Sequence, residues 1–168
     1  MIRALYNAFM LRSAYLLASF QKSLLMTQNP TSPIVPPALR GWFVFHFYAD
    51  IVFAIPLMIA PVMTLELFGW GPEPVDPLSA RLAGSALMGI GIESLLGRNA
   101  DGDVFLSMLK LKSIWSFSAS LGIGLSLWEW GAQAPWGAWG FFAIFSSFCV
   151  LWNYYRISLQ RSVHTPEG

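Results

Sequence analysis

The sequence predicts an all-α integral membrane protein: a four-transmembrane-helix bundle with an extra N-terminal amphipathic helix. Three observations predict it. Hydrophobic residues make up 55% of the 168 and charged residues only 11%, against about 25% charged in soluble domains. Four apolar stretches follow residue 40, each long enough at 1.5 Å per residue to cross a hydrocarbon core of roughly 30 Å. Cationic residues and tryptophans then sort to the two ends that these four stretches define.

Residues 1–26 read as a helix without an acidic residue. Ile2, Tyr6, Phe9, Leu16, Phe20 and Leu24 form its apolar face, and Arg3, Arg12 and Lys22 lie around the rest. Such a segment suits the surface of an anionic membrane. An organelle presequence, a loosely ordered tail and a true start at Met26 are the alternatives. Residues 27–40 are a linker, because four prolines in TQNPTSPIVPP oppose regular helix.

The bundle occupies residues 41–157. Its first helix runs from Gly41 to about Met63, with a kink or early end expected at Pro56 and Pro61. His46 and Asp50 are four apart on it and share a face. A loop with LFGWGPEP follows. The second and central helix, Asp76 to Arg98, opens with an N-cap aspartate and a proline at its first turn. Ser85, Gly89, Glu93 and Gly97 fall four apart, a stripe on which another helix can approach closely. NADGD makes a tight turn, with Asp103 as the expected N-cap of a third helix, Val104 to Trp130. Lys112, Ser116, Ser120 and Gly124 form a second small-residue stripe there. The fourth helix is expected from Trp136 to Ile157, with residues 158–168 a polar tail.

Nine of the ten cationic residues fall on the side of the termini and the Asn99 turn; only Arg81 lies opposite. The positive-inside rule then puts both termini in the cytoplasm, and a bacterial inner membrane is the expected location. Trp70, Trp128, Trp130, Trp136 and Trp139 would form the outer aromatic belt, with Trp42 and Trp152 at the inner one.

This topology brings His46, Asp50, Glu93, Lys110 and Lys112 into the inner half of the bilayer. Charges there are costly and must pair or face a wet cavity. The expected pairing is Asp50 and Glu93 with Lys112, with His46 at the edge and Lys110 reaching to the headgroups. One outcome is an ion-pair network that fixes helix docking; the other is a polar pocket for a proton, an ion or a lipid headgroup. Arg81, Asp76, Glu73 and Glu129 form an outer-face candidate of interfacial salt bridges.

No catalytic residue is assigned. The sequence has no GxGxxG, GxSxG, HExxH or CxxC, and its single cysteine, Cys149, excludes a multi-cysteine metal site. One histidine with two carboxylates matches no metal-binding spacing, and no cofactor is identified. A net charge of +1 gives no reason to expect nucleic acid. The aromatics of the first helix (Trp42, Phe43, Phe45, Phe47, Tyr48, Phe53) read as lipid-facing.

The aromatic, histidine-bearing first helix, LFGW at Leu67–Trp70, and DPLSARLAGSALMGIG from Asp76 to Gly91 resemble the small four-helix bacterial membrane proteins of the DoxX-like kind. The resemblance covers about Leu39 to Ile157. It implies a membrane protein of a group linked to membrane redox complexes, and it carries no catalytic residue. Two functional classes remain open. One is a non-catalytic protein: an accessory subunit of other membrane proteins, a homo-oligomer, or a binder of lipid or quinone. The other is a membrane enzyme or proton-coupled carrier working through Asp50, His46 and Glu93.

Overall fold

Five α-helices and no strand make up the described part of the chain, residues 32–71 and 76–164 of the computed structural model, with side chains to Arg161. The N-terminal segment 1–26 and Glu73 lie outside the described residues. All the helices belong to one compact unit, Pro33–Gly168.

Helix α1, Pro37–Ile59, starts four residues before the expected Gly41. Pro37 sits in the first turn, where its missing N–H costs nothing, so the last linker proline opens the helix rather than forbidding it. The residues before it are not a free linker: Val35 is buried in the hydrophobic cluster with Leu39, Phe43, Phe105 and Trp152. Pro56 is accommodated inside α1, and the break falls at Ala60, after which Pro61 opens the short helix α2, Pro61–Leu67.

Helix α3, Pro77–Gly97, follows the expected limits. Asp76 caps it, accepting hydrogen bonds from the backbone N–H of Leu78 at 3.0 Å and of Ser79 at 3.1 Å. The Ser79 hydroxyl donates to the same carboxylate at 2.6 Å. Helix α4, Gly102–Trp130, has Asp101 at its N-cap position with no capping hydrogen bond from its side chain, and the expected cap, Asp103, lies in the first turn. After one 3₁₀ turn, Gly131–Gln133, helix α5 runs from Trp136 to His164. The expected polar tail is therefore helical for seven residues beyond Ile157. Polar residues at 158–164 do not end a helix in the absence of a proline or glycine.

The helices pair closely as α1 with α3 and as α4 with α5. On α3 only the second half of the expected Ser85–Gly89–Glu93–Gly97 stripe meets a neighbour, Glu93 pairing with Lys112 and Gly97 lying against Met108. Ser85 and Gly89 are exposed. The buried positions are Ala80, Gly84, Gly91 and Ser94. A Cβ on Gly84 would sit 3.0 Å from the carbonyl oxygen of Ala54, and one on Gly91 2.9 Å from the Cβ of Asp50. In the second pair Lys112 and Ser116 are buried, Ser120 accepts from the Ser146 hydroxyl at 3.4 Å, and Gly124 lies under Phe142.

Side chains join the two pairs at one end. Phe43 packs on Phe105 and Trp152, with ring centroids 4.6 and 5.7 Å apart. Trp152 is fully buried, so it is a core residue and not part of an interfacial belt. At the other end Gly137 N–H donates to the Phe68 carbonyl at 2.9 Å, and Phe68 packs on Trp136 and Phe141. Gly69 has φ +86°, and a Cβ there would lie 2.6 Å from the Trp136 ring, so this junction requires glycine.

Much of the outer surface is apolar. Ile59, Leu96 and Val150 are more than 70% exposed, and Ile114, Phe117, Leu121 and Leu125 continue the pattern along α4. One helix, α1, is long and apolar enough by length and composition to cross a membrane.

Candidate functional site

Between the two helix pairs lies a cavity of ≈ 490 Å³. It exists because small side chains face each other at its middle: Ala49 on α1, Ala80 and Ala83 on α3, Ala119 and Gly122 on α4, Ala138 on α5. From His46 to Leu57 its α1 wall spans twelve residues, about 16 Å of helix. Aromatic residues line it: Trp70, Trp115, Trp130, Phe141, Phe145 and Phe148. The lining residues of α4 (Trp115, Ala119, Gly122, Ser126, Trp130) recur at helical spacing.

The cavity ends inward on the buried polar cluster. His46 Nδ1 lies 2.9 Å from Asp50 Oδ2, across one turn of α1. It also lies 3.4 Å from Ser94 Oγ on α3. The Ser94 hydroxyl donates to the Ile90 carbonyl at 2.7 Å. Ser94 Oγ in turn accepts from Lys112 Nζ, which sits 3.2 Å from Glu93 Oε2. Lys112 is 1% exposed while the Glu93 side chain is 34% exposed, so the pair reaches from the core to its edge. The ammonium is also walled by the Phe43 ring, 5.0 Å away, and the Trp152 ring, 5.9 Å away.

Four of the five residues expected in this cluster come together. His46 is at its centre, 4% exposed, rather than at the edge, because Phe148 and Trp152 pack edge-on against its ring. Asp50 takes His46 as its near neighbour, not Lys112. Its Oδ2, although 2.9 Å from His46 Nδ1, accepts no hydrogen bond. Lys110 points elsewhere and is exposed. Ser94 is the bridging residue that sequence reading missed. Its signal was its place on the same turn as Glu93, three residues after the buried Gly91.

The outer-face candidate does not assemble among the described residues. Asp76 serves its own helix N-terminus, and Arg81 donates to the Met58 carbonyl at 3.2 Å; no ion pair joins either to Glu129. Hydrogen bonding by Ser79, first through its hydroxyl and then with the backbone N–H groups of Leu78 and Ser79, holds the Asp76 carboxyl below its ordinary value of 3.8. The first-helix aromatics divide. Trp42, Phe45 and Tyr48 are exposed, Phe43 is fully buried, and Phe53 lines the cavity.

No group of three or more His, Cys, Asp or Glu side chains is placed among the described residues to hold a metal ion. No family model, curated protein or solved structure matches the chain.

Proposed function

We propose that this chain is an integral membrane four-helix bundle that holds a small, largely apolar molecule between its two helix pairs. The observation that carries the reading is the aromatic-walled cavity ending on Asp50 and His46. Apolar enclosure with a few convergent polar groups is the usual make-up of a small-molecule site. The membrane part rests on the apolar surface around α1, α4 and α5, which exceeds what a soluble monomer exposes. Tryptophan, serine and glycine lower the mean hydropathy of α3, α4 and α5, yet 29 residues each in α4 and α5 give about 44 Å of helix, ample for a bilayer. Both termini lie in the cytoplasm on this reading, which also fits a non-catalytic accessory or lipid- or quinone-binding role. The DoxX-like resemblance belongs with this proposal, and no residue role is taken from it.

The test is co-purification. The full chain, extracted in mild detergent, should retain an organic-soluble small molecule visible by mass spectrometry. Ala119→Trp, which fills the middle of the cavity, should lose that molecule without loss of folded protein. Identical extracts from both proteins would overturn the reading. For orientation, an externally added thiol reagent should label a cysteine placed at Gln133 and miss one at Asp101.

One observation favours a second reading, a proton-coupled carrier. Asp50, His46, Ser94, Lys112 and Glu93 form a continuous polar chain from the cavity to a partly exposed carboxylate. Proteoliposomes with a trapped pH dye would distinguish it: substrate addition should acidify or alkalinise the lumen in wild type and not in Glu93→Gln.

A further inference from the structure

We infer that the molecule held in this cavity is an organic cation, an ammonium-type head on an apolar body, with the head on Asp50. This rests on the reading of the cavity as a ligand site and names what the site selects. The first argument is the sign of the lining. Among the described lining residues the charged side chains are Asp50 and Asp76, both carboxylates, and none is Lys or Arg.

The second is the state of Asp50. Its side chain is 9% exposed, it lines the cavity, and its Oδ2 accepts no hydrogen bond although His46 Nδ1 lies 2.9 Å away. A carboxylate oxygen so enclosed is completed by a donor or a positive charge from the cavity side. The nearby ammonium is engaged elsewhere: Lys112 donates to Ser94 and pairs with Glu93 at 3.2 Å.

The third is the walls. The indole and phenyl rings of Trp115, Trp130, Phe141, Phe145 and Phe148 turn an apolar surface toward the ligand. Ring faces carry negative charge density and attract cations, most strongly where water is excluded. A fatty acid or phosphate head would instead set a second negative charge against Asp50, and a neutral head would gain nothing from it beyond a hydrogen bond. The volume of ≈ 490 Å³ suits a body of a few fused or clustered rings.

Tetraphenylphosphonium and tetraphenylborate test this directly, because they share size and shape and differ in sign. Binding to the purified full chain is read by competition with N-phenyl-1-naphthylamine, a neutral fluorescent probe of apolar sites. We expect the naphthylamine to bind wild type and to be blocked by Ala119→Trp. We expect tetraphenylphosphonium to displace it about tenfold or more tightly than tetraphenylborate, and Asp50→Asn to remove that preference. Naphthylamine binding with no preference for the phosphonium overturns the cation assignment and leaves the cavity reading standing. Absence of any specific naphthylamine binding overturns the cavity reading itself. The wild-type comparison needs no variant, so it stands even if Asp50→Asn fails to accumulate.

Discussion

Lys112 and Glu93 are paired but not equivalent, and the difference predicts unequal costs of removing each. Lys112 is enclosed, so Glu93→Gln leaves a buried ammonium with only Ser94 and two rings around it. That variant should lose about 3–5 kcal/mol, the usual penalty for breaking a buried pair. Lys112→Met keeps the stem packed against Phe43 and leaves a carboxylate that is a third exposed to be solvated, so it should lose clearly less. The double variant should recover part of the Glu93→Gln loss. Denaturant titration in mixed micelles measures all three, and strictly additive losses would mean that the pair contributes nothing. Asp50 behaves in the opposite sense. Its Oδ2 lies 2.9 Å from His46 Nδ1 yet accepts no hydrogen bond, so this enclosed oxygen costs stability and Asp50→Asn should melt higher, by about 1 kcal/mol equivalent. A lower melting temperature would show that Asp50 is held for stability.

At the scale of the helix, α3 decides how closely its neighbour approaches. Gly91→Ala brings a methyl to 2.9 Å from Asp50 Cβ and should cost about 1–3 kcal/mol through overpacking. Gly89 has nothing within 4 Å, so Gly89→Ala should be neutral or stabilise by up to about 1 kcal/mol. The contrast is measurable in one thermal-melt series, and equal effects would mean that the close face is misplaced. The start of α3 carries a pH signature. Asp76 has a folded-state carboxyl below its unfolded value, so its capping contribution is complete above that unfolded value and fades as pH falls through the folded one. Asp76→Ala should therefore be less stable than wild type at neutral pH, and the gap should close below about pH 4.

These elements also show what a sequence discloses. The Asp76–Pro77 start, the Glu93–Lys112 pair and the His46–Asp50 neighbours were all legible, because local spacing and the cost of buried charge fix them. The α3 face toward α1 was misassigned, because Gly84 and Gly91 are spaced seven apart and a four-residue rule selects Gly89 instead. Pro37 was read as a breaker although a proline at a first turn is an opener. The cavity was not legible at all. It depends on which small residues of one helix pair face which of the other, and that is a property of docking rather than of any single stretch.

For the whole molecule, the determining feature is that α1 clasps α3 and α4 clasps α5, while the chain between α3 and α4 is only the turn after Gly97. The two pairs meet through Phe43, Trp152 and the Lys112–Glu93 contact at one end and through Phe68, Gly137 and Trp136 at the other. The turn adds to the first junction, with Ala100 against the hydrophobic cluster and the Arg98 carbonyl accepting from Arg40 at 2.7 Å, but most of the contact between the pairs lies outside it. The protein is in effect two interlocking halves written on one message. Severed at Ala100, the halves should reassemble when co-expressed, run together on a sizing column and recreate the naphthylamine site, whereas either half alone would leave its small-residue face uncovered and find no mate.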